Sequence, residues 1–189
     1  MTIGLYFGSF NPIHIGHLII GNYIANNTNV EQVWFVVSPQ NPLKPSSTLL
    51  NEYHRLHLAH LAIEDNPLLK VSDAEFKLPR PSYTIDTLTY LAEKYPQHHF
   101  TVIVGSDSFQ NLHRWKNAEV LIKNYQFLIY QRPGFEVKGP LGPSCELLNA
   151  PLLDISSTMI RDFVKSKKSI QYLVTEKVRQ EIELNNYYK

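Results

Sequence analysis

The segment from Gly4 to His17 constrains the fold of this 189-residue chain more than any other. An apolar run that ends at Phe7 predicts a buried strand, and the residues from Gly8 to Pro12 are typical of a tight turn. Pro12 is predicted to start a helix, because its φ is already set for the first helical position. The segment therefore predicts a strand, a tight turn and a helix in direct succession.

Two histidines follow this turn. His14 and His17 are three residues apart, so they share one face of the predicted helix. That face lies at the helix N-terminus, where free N–H groups and the helix dipole attract anions. A metal site is less favoured, because metal-binding pairs on a helix are usually four apart and have an acidic partner, which this segment lacks. The pattern predicts a phosphate site, and the alternative is that each histidine is a surface or capping residue.

Apolar runs alternate with helical patterns along the rest of the chain. Strands are predicted at 3–7, 33–37, 69–73, 100–104 and 127–131, with a last short strand within 147–155. Helices are predicted at 13–26, 52–65, 84–94, 118–123 and 156–166, followed by a polar, mostly helical tail. This alternation predicts an α/β fold with a parallel sheet and helices on both faces. We expect a single domain over residues 1–189, of which about 156–189 form a small helical C-terminal part. Ligands of such sheets bind beyond the carboxyl ends of the strands, near the topological switch point.

Composition excludes several classes of protein. The formal net charge of +1 gives no support to a general nucleic-acid or membrane surface. The single cysteine, Cys145, excludes an internal disulfide and suits a reducing compartment. No signal peptide and no apolar run of about 20 residues is present, so we expect a cytoplasmic protein without membrane partners.

A second motif lies near the C-terminal end, from Ile155 to Arg161. Ser156, Ser157 and Thr158 are hydroxyl residues at a predicted helix start, where they can cap N–H groups. Arg161 follows Thr158 by three residues and can make forked contacts with phosphate oxygens. The motif predicts the second half of a phosphate clamp, and the alternative is an ordinary cap with an exposed arginine.

The two motifs together carry a family resemblance. Gly8-Ser-Phe-Asn-Pro-Ile-His-Ile-Gly-His17 with Ile155-Ser-Ser-Thr-Met-Ile-Arg161 resembles the nucleotidylyltransferase superfamily. The elements between them are similar to those of bacterial nicotinate-nucleotide adenylyltransferases: Pro81-Ser-Tyr-Thr-Ile-Asp-Thr87, Gly105-Ser-Asp-Ser108, Trp115 and Arg132-Pro-Gly134. These enzymes make deamido-NAD from nicotinate mononucleotide and ATP. The resemblance spans nearly the whole chain and implies a Rossmann-like nucleotidylyltransferase fold.

The resemblance also implies which residues form the site. Those implied to bind ATP lie on the two motifs and after the fourth strand: Gly8, Ser9, Phe10, His14, His17, Gly105, Asp107, Ser157, Thr158 and Arg161. Among these, His14, His17 and Arg161 are the implied catalytic groups. Lys44, Tyr83, Thr84, Trp115 and Arg132 are assigned to substrate binding. Trp115 either stacks on the nicotinate ring or anchors a loop, and Arg132 either lines the adenine pocket or only ends a strand.

One loop departs from the family pattern. The family often has Pro-Pro-His followed by Lys or Arg after the second strand, whereas this chain has Asn41-Pro-Leu-Lys44. Leu43 stands in place of the loop histidine, so a third imidazole is not implied. Lys44 either meets a phosphate or is a solvated loop lysine. Arg55 matches an arginine that is frequent in the family, but a surface salt bridge on a helix explains it equally well.

The implied chemistry accounts for the lack of a nucleophile motif. The phosphate of nicotinate mononucleotide is already anionic, so the protein has to position it and to neutralise the leaving pyrophosphate. Mg²⁺ is expected to bridge ATP oxygens without dedicated protein ligands. A homodimer is possible.

Other readings of the same motifs remain. Nicotinamide mononucleotide or phosphopantetheine is an alternative acceptor. A further alternative is that the protein is a nucleotide-binding module without catalytic activity. A class I aminoacyl-tRNA synthetase shares His-Ile-Gly-His and a lysine-rich loop like that at 165–169, but this chain is too short to include an anticodon domain.

Overall fold

A parallel sheet forms the centre of the computed structural model, which describes residues 1–40, 48–137, 141–151 and 153–189. Among these residues, six strands pair in the order β3-β2-β1-β4-β5-β6, all parallel. The strands are β1 Thr2–Gly8, β2 Gln32–Val37, β3 Leu69–Ser72, β4 His99–Gly105, β5 Gln126–Tyr130 and β6 Cys145–Leu148. The chain extends the sheet first on one side of β1 and then, from β4, on the other. The predicted parallel sheet is confirmed, and its topological switch point lies between β1 and β4.

Helices cover both faces of this sheet, as predicted. They are α1 Ile15–Asn27, α2 Glu52–Ile63, α3 Thr84–Lys94, α4 Ser106–Phe109, α5 Ala118–Asn124, α6 Ser157–Lys165 and α7 Glu176–Leu184. Successive residues of a strand face opposite sides of the sheet, so Leu5 and Tyr6 of β1 belong to two different apolar clusters. The Tyr6 cluster takes buried residues from α1, α2, α6 and α7, and the Leu5 cluster takes them from α3 and α5. The C-terminal helices thus share the Tyr6 cluster with α1 and α2, while the extent of the single domain stays a prediction.

Three predicted boundaries are wrong by two residues. The helix predicted at 52–65 ends at Ile63. The helix after the first turn begins at Ile15, with His14 as its N-cap, and Pro12 lies in the turn before it. The His14 carbonyl accepts the first helical hydrogen bonds, whereas the Pro12 carbonyl accepts one from the Ser157 hydroxyl. The last strand starts two residues before the predicted 147–155 window and ends at Leu148. Pro151, within that window, has no N–H to donate to the ladder.

The described part of the chain includes no helix with the length and apolar character that crossing a membrane requires.

The α2 packing can be tested with two leucines. Leu58 of α2 is fully buried in the Tyr6 cluster, whereas Leu184 at the end of α7 is 78% exposed. Leu58→Ala is expected to lower the free energy of unfolding by about 2–5 kcal/mol, because it leaves a cavity. Leu184→Ala should change it by less than about 0.5 kcal/mol. Urea unfolding of both variants is the measurement, and equal losses would contradict the packing described here.

Candidate active site

The turn after β1 is shaped by a buried phenylalanine. Phe10 has a left-handed backbone, with φ +44°, and its ring is only 3% exposed. A Cβ atom on Gly8 would lie 2.8 Å from the Phe10 ring, so the glycine lets the ring fold back against the strand. The ring then packs edge-on against His17, with 5.1 Å between centroids. Since the Phe10 side chain is buried, only the backbone of Phe10 is left for a nucleotide at this turn to contact.

Side chains of α6 satisfy two carbonyl groups of this turn. The Asn11 carbonyl accepts a hydrogen bond from Arg161 Nη1 at 2.9 Å, and the Pro12 carbonyl accepts one from Ser157 Oγ at 2.9 Å. Arg161 Nη2 also donates to Thr158 Oγ1 at 3.2 Å. The structure therefore brings the start of α6 next to the start of α1, as the clamp hypothesis requires. That these groups bind ATP stays a prediction.

The two histidines form one stacked pair. Their ring centroids are 3.7 Å apart, with 27° between the ring planes. His17 Nδ1 accepts a hydrogen bond from the His14 backbone N–H at 3.2 Å, which fixes the second ring over the first turn of α1. Both rings line an open cleft that is also bordered by Tyr130, Arg132 and Ile155.

His14 is neutral at physiological pH. Burial lowers the pKa of its imidazole to about 4, and the charge of Arg132 contributes to the same shift. The side chain is 6% exposed, and its Nδ1 atom makes no hydrogen bond to any described residue. A neutral imidazole has one N–H donor and one acceptor nitrogen, so His14 can donate a hydrogen bond to a ligand oxygen in the cleft.

An ion pair connects the ends of β4 and β5. Arg132 Nη1 lies 3.2 Å from Asp107 Oδ2, and the Arg132 backbone N–H donates to Ser106 Oγ at 2.9 Å. A Cβ atom on Gly105 would lie 2.6 Å from Asp107 Oδ1, so a larger residue there would displace this carboxylate. Arg132 also lines the histidine cleft.

Three of the other residues assigned to substrate binding, Tyr83, Thr84 and Trp115, lie elsewhere. Tyr83 is the N-cap of α3 and Thr84 is its first residue, and the Lys116 ammonium group lies 4.9 Å from the centre of the Tyr83 ring. Trp115 is half-buried and, like Tyr83, packs on the Leu5 cluster, on the face of the sheet away from the Tyr6 cluster. None of these three residues lines the histidine cleft. Lys44, like Leu43, falls outside the described residues.

Arg55 was not predicted to be buried, and the proposed surface salt bridge is wrong. Its side chain is 0% exposed, and burial lowers the pKa of the guanidinium, which stays charged. Its hydrogen bonds within the described residues end on neutral carbonyl oxygens: Ser9, Ser38, Pro39 and Leu50. The sequence did contain a signal, because Arg55 precedes the buried Leu58 and Ala59 by three and four residues and so shares their helix face.

Glu75 was also missed. It lies in a short 3₁₀ helix, Ala74–Lys77, after β3 and is 2% exposed. Burial raises the pKa of its carboxyl group, and hydrogen bonds from Ser82, Ser38 and Thr87 oppose that shift. The sequence around Glu75 gave no sign that this residue is buried, since its hydrogen-bond partners lie elsewhere in the chain.

The sheet is open and parallel, and α1 starts at its switch point with the two histidines. The start of α6, which carries Arg161, lies beside it. These features define a Rossmann-like nucleotide-binding protein. Residues 5–163 match the model of the cytidylyltransferase-like family. A protein from Flavobacterium psychrophilum named "Probable nicotinate-nucleotide adenylyltransferase" is 50% identical over 192 residues, covering 100% of both chains. A protein of the same name from Cytophaga hutchinsonii is 49% identical over 194 residues, covering 100% of this chain and 98% of its own.

A solved structure has the same fold. It is that of Plasmodium falciparum nicotinic acid mononucleotide adenylyltransferase complexed with NaAD, with a TM-score of 0.84 at 24% identity. The match covers 99% of this chain and 97% of that one. The chain therefore belongs to the cytidylyltransferase-like family and, within it, to the nicotinate-nucleotide adenylyltransferases.

The state of His14 predicts a specific pH dependence of stability. A pKa that falls from 6.5 in the unfolded chain to about 4 in the folded one is equivalent to about 3 kcal/mol. As pH drops from 6.5 towards 4, the unfolded chain takes up this proton and the folded chain does not, so stability falls. When the pH is lowered from 7.5 to 4, the free energy of unfolding of the parent chain should fall by about 3 kcal/mol more than that of the His14→Gln variant. Urea unfolding at both values measures this, and parallel losses would show that His14 titrates normally.

Proposed function

We propose that this chain transfers the adenylyl group of ATP to nicotinate mononucleotide, giving deamido-NAD and pyrophosphate in NAD biosynthesis. The observation that carries the proposal is the convergence of α1 and α6 on one turn, through Arg161 at 2.9 Å from the Asn11 carbonyl and Ser157 at 2.9 Å from the Pro12 carbonyl. This convergence joins two helix starts, a histidine pair and a guanidinium at the carboxyl end of β1, where a polyphosphate can bind. Relatives at up to 50% identity over the full length carry the name of this activity.

The reaction needs positioning more than acid–base chemistry. A phosphate oxygen of nicotinate mononucleotide attacks the α-phosphorus of ATP, and the bond from that phosphorus to the oxygen bridging to the β-phosphate breaks. Pyrophosphate leaves with the bonding electrons. Since the attacking oxygen is already anionic near neutral pH, the site has to hold the two phosphates in line and to offset the charge on the leaving group.

In this proposal the histidine cleft binds ATP. The Gly8–Phe10 backbone and the starts of α1 and α6 surround the phosphates, with Ser157 and Thr158 on the α6 side. His14 donates a hydrogen bond as a neutral imidazole, and His17 and Arg161 contact the pyrophosphate portion. Gly105 and Asp107 border the adenosine, with the carboxylate placed to accept from ribose hydroxyls. Arg132 belongs to this side, because it lines the same cleft as the histidines.

The second substrate is assigned to the carboxyl ends of the strands on the opposite face of the sheet, the face that carries the Leu5 cluster. Tyr83, Thr84 and Trp115 follow β3 and β4, and Tyr83 and Trp115 rest on the Leu5 cluster. Trp115 is half-buried, which leaves part of its side chain exposed for stacking on a pyridine ring. Lys44 is proposed to reach the mononucleotide phosphate.

We further propose that Mg²⁺ enters the site with ATP. The described residues contain no group of three or more His, Cys, Asp or Glu side chains placed to hold a metal ion. Mg²⁺ prefers oxygen ligands and commonly binds through substrate phosphates and water, which fits a site of this composition. When bound, it supplies neutralisation of phosphate charge. A homodimer and a cytoplasmic location stay predictions.

An acceptor comparison tests the proposed function. Pyrophosphate release from ATP is measured with nicotinate mononucleotide, nicotinamide mononucleotide and phosphopantetheine side by side. The highest kcat/KM is expected with nicotinate mononucleotide. The highest value with phosphopantetheine would contradict the acceptor assignment, and no release with any acceptor would favour a nucleotide-binding module.

The histidine pair is tested by His17→Ala. This change should lower kcat with ATP and nicotinate mononucleotide at least about tenfold, equivalent to one lost transition-state contact of about 1.4 kcal/mol. His99→Ala is the matched control, because His99 is exposed at the amino end of β4, away from the cleft. Unchanged turnover of a folded His17→Ala protein would remove His17 from the site.

A further inference from the structure

Ser38, the residue after β2, interacts with three different parts of the structure. Its backbone N–H donates to the Gly8 carbonyl at 2.9 Å, and its own carbonyl accepts from Arg55 Nη1 at 2.8 Å. Its side chain is one of the three hydroxyl groups that lower the pKa of the buried Glu75 carboxyl group. Ser38 is 6% exposed, so all of these contacts are made away from solvent. It therefore connects the end of β1, which precedes the histidine turn, to Glu75.

Glu75 in turn holds the segment that precedes α3. Its Oε2 atom accepts a hydrogen bond from Ser82 Oγ at 2.6 Å, and its Oε1 atom accepts one from Thr87 Oγ1 at 3.1 Å. The first distance is typical of a hydroxyl that donates to an ionised carboxylate. Thr87 Oγ1 also lies 3.2 Å from the Tyr83 carbonyl. The carboxylate is therefore bonded on both sides of Tyr83 and Thr84.

This carboxylate is a costly group to bury for packing alone. Glu75 is 2% exposed, Ser82 is 6% exposed and Thr87 is fully buried, and the three hydroxyl partners of Glu75 carry no charge. An anion without a cationic partner loses solvation that neutral donors replace only in part. Buried networks whose members are all bonded do fix one local conformation. The conformation fixed here is that of the Ser82–Thr87 segment, relative to Ser38 and the end of β1.

We propose that Glu75 is a positioning residue for the second substrate, which sets Tyr83 and Thr84 in place relative to the phosphate-binding turn through Ser82, Thr87 and Ser38. The inference rests on the proposed function, because it assigns Tyr83 and Thr84 to the mononucleotide. Glu75 is buried and does not itself touch the substrate. In-line transfer requires both phosphates at fixed positions, so a small displacement of this segment weakens binding of the acceptor and its alignment with ATP.

The test is the pair of variants Glu75→Gln and Glu93→Gln. In Glu75→Gln, an amide NH₂ replaces one carboxylate oxygen and cannot accept from Ser82 or Thr87. The KM for nicotinate mononucleotide should rise about tenfold, as expected for losing a hydrogen bond to a charged group, while the KM for ATP stays within about twofold. Glu93, exposed on α3, is the matched control and should leave both KM values unchanged.

Thr87→Val gives a second variant of nearly the same shape, in case Glu75→Gln folds poorly. It removes the hydroxyl that donates towards Glu75 and Tyr83, so the same selective rise of the KM for the mononucleotide is expected. The double variant Glu75→Gln/Thr87→Val should raise this KM by less than the product of the two single effects, since both break one network. Thermal unfolding of each variant monitors stability separately.

The outcomes separate this inference from the proposed function. If the parent chain is active and Glu75→Gln lowers only kcat, or raises both KM values equally, the positioning role is wrong. If Glu75→Gln lowers only the melting temperature, Glu75 serves stability alone and the inference is again overturned. If the parent chain releases pyrophosphate only with a different acceptor, the proposed function fails. The role of Glu75 is then still decided by whether Glu75→Gln raises the KM for that acceptor and leaves the KM for ATP unchanged.

Discussion

The carbonyl groups of the turn after β1 impose the main constraint on this structure. Residues between a strand and a helix have backbone acceptors that neither element satisfies, and buried acceptors have to be paired. Here Arg55 of α2 donates to the Ser9 carbonyl, while Arg161 and Ser157 of α6 donate to those of Asn11 and Pro12. The turn therefore forms in this shape only when helices distant in sequence have packed around it. The same packing places two guanidinium groups next to the proposed phosphate site.

The electrostatics of the cleft depend on which partner each of three arginine side chains has within the protein. Arg132 pairs with Asp107, Arg161 donates to a carbonyl and a hydroxyl, and Arg55 donates to carbonyls alone. Carbonyl oxygens are weaker partners for a guanidinium than phosphate oxygens, because only the latter carry a full charge. Arg161, which is partly exposed, can therefore gain from turning towards a polyphosphate, whereas fully buried Arg55 cannot leave its carbonyls. One arginine is thus suited to contact ligand and the other to hold the turn.

Local patterns in the sequence predicted the sheet, the helices on both faces and the proximity of α1 and α6. These succeeded because strand runs, turn residues and hydroxyl caps act over a few residues. The prediction for Arg55 failed because its partners are carbonyls in three separate segments, which helix periodicity alone does not identify. The burial of Glu75 was missed for the same reason. The helix start predicted at Pro12 was wrong because His14 is the N-cap, and the His14 carbonyl accepts the first helical hydrogen bonds. Residues whose role depends on tertiary contacts were thus the ones that the sequence concealed.

The two proposed subsites rest on opposite faces of one sheet, and this explains why polar groups are buried between them. The histidines belong with the Tyr6 cluster and Tyr83 with the Leu5 cluster, and apolar packing slides more easily than a hydrogen-bonded network does. Ser38 lies at the end of β2, directly beside β1, where both faces are within reach of one residue. The polar contacts of Ser38 and Glu75 can therefore fix a relative position that the two apolar clusters alone would leave less defined. For a transfer between two bound phosphates, that relative position is the quantity that the protein has to control.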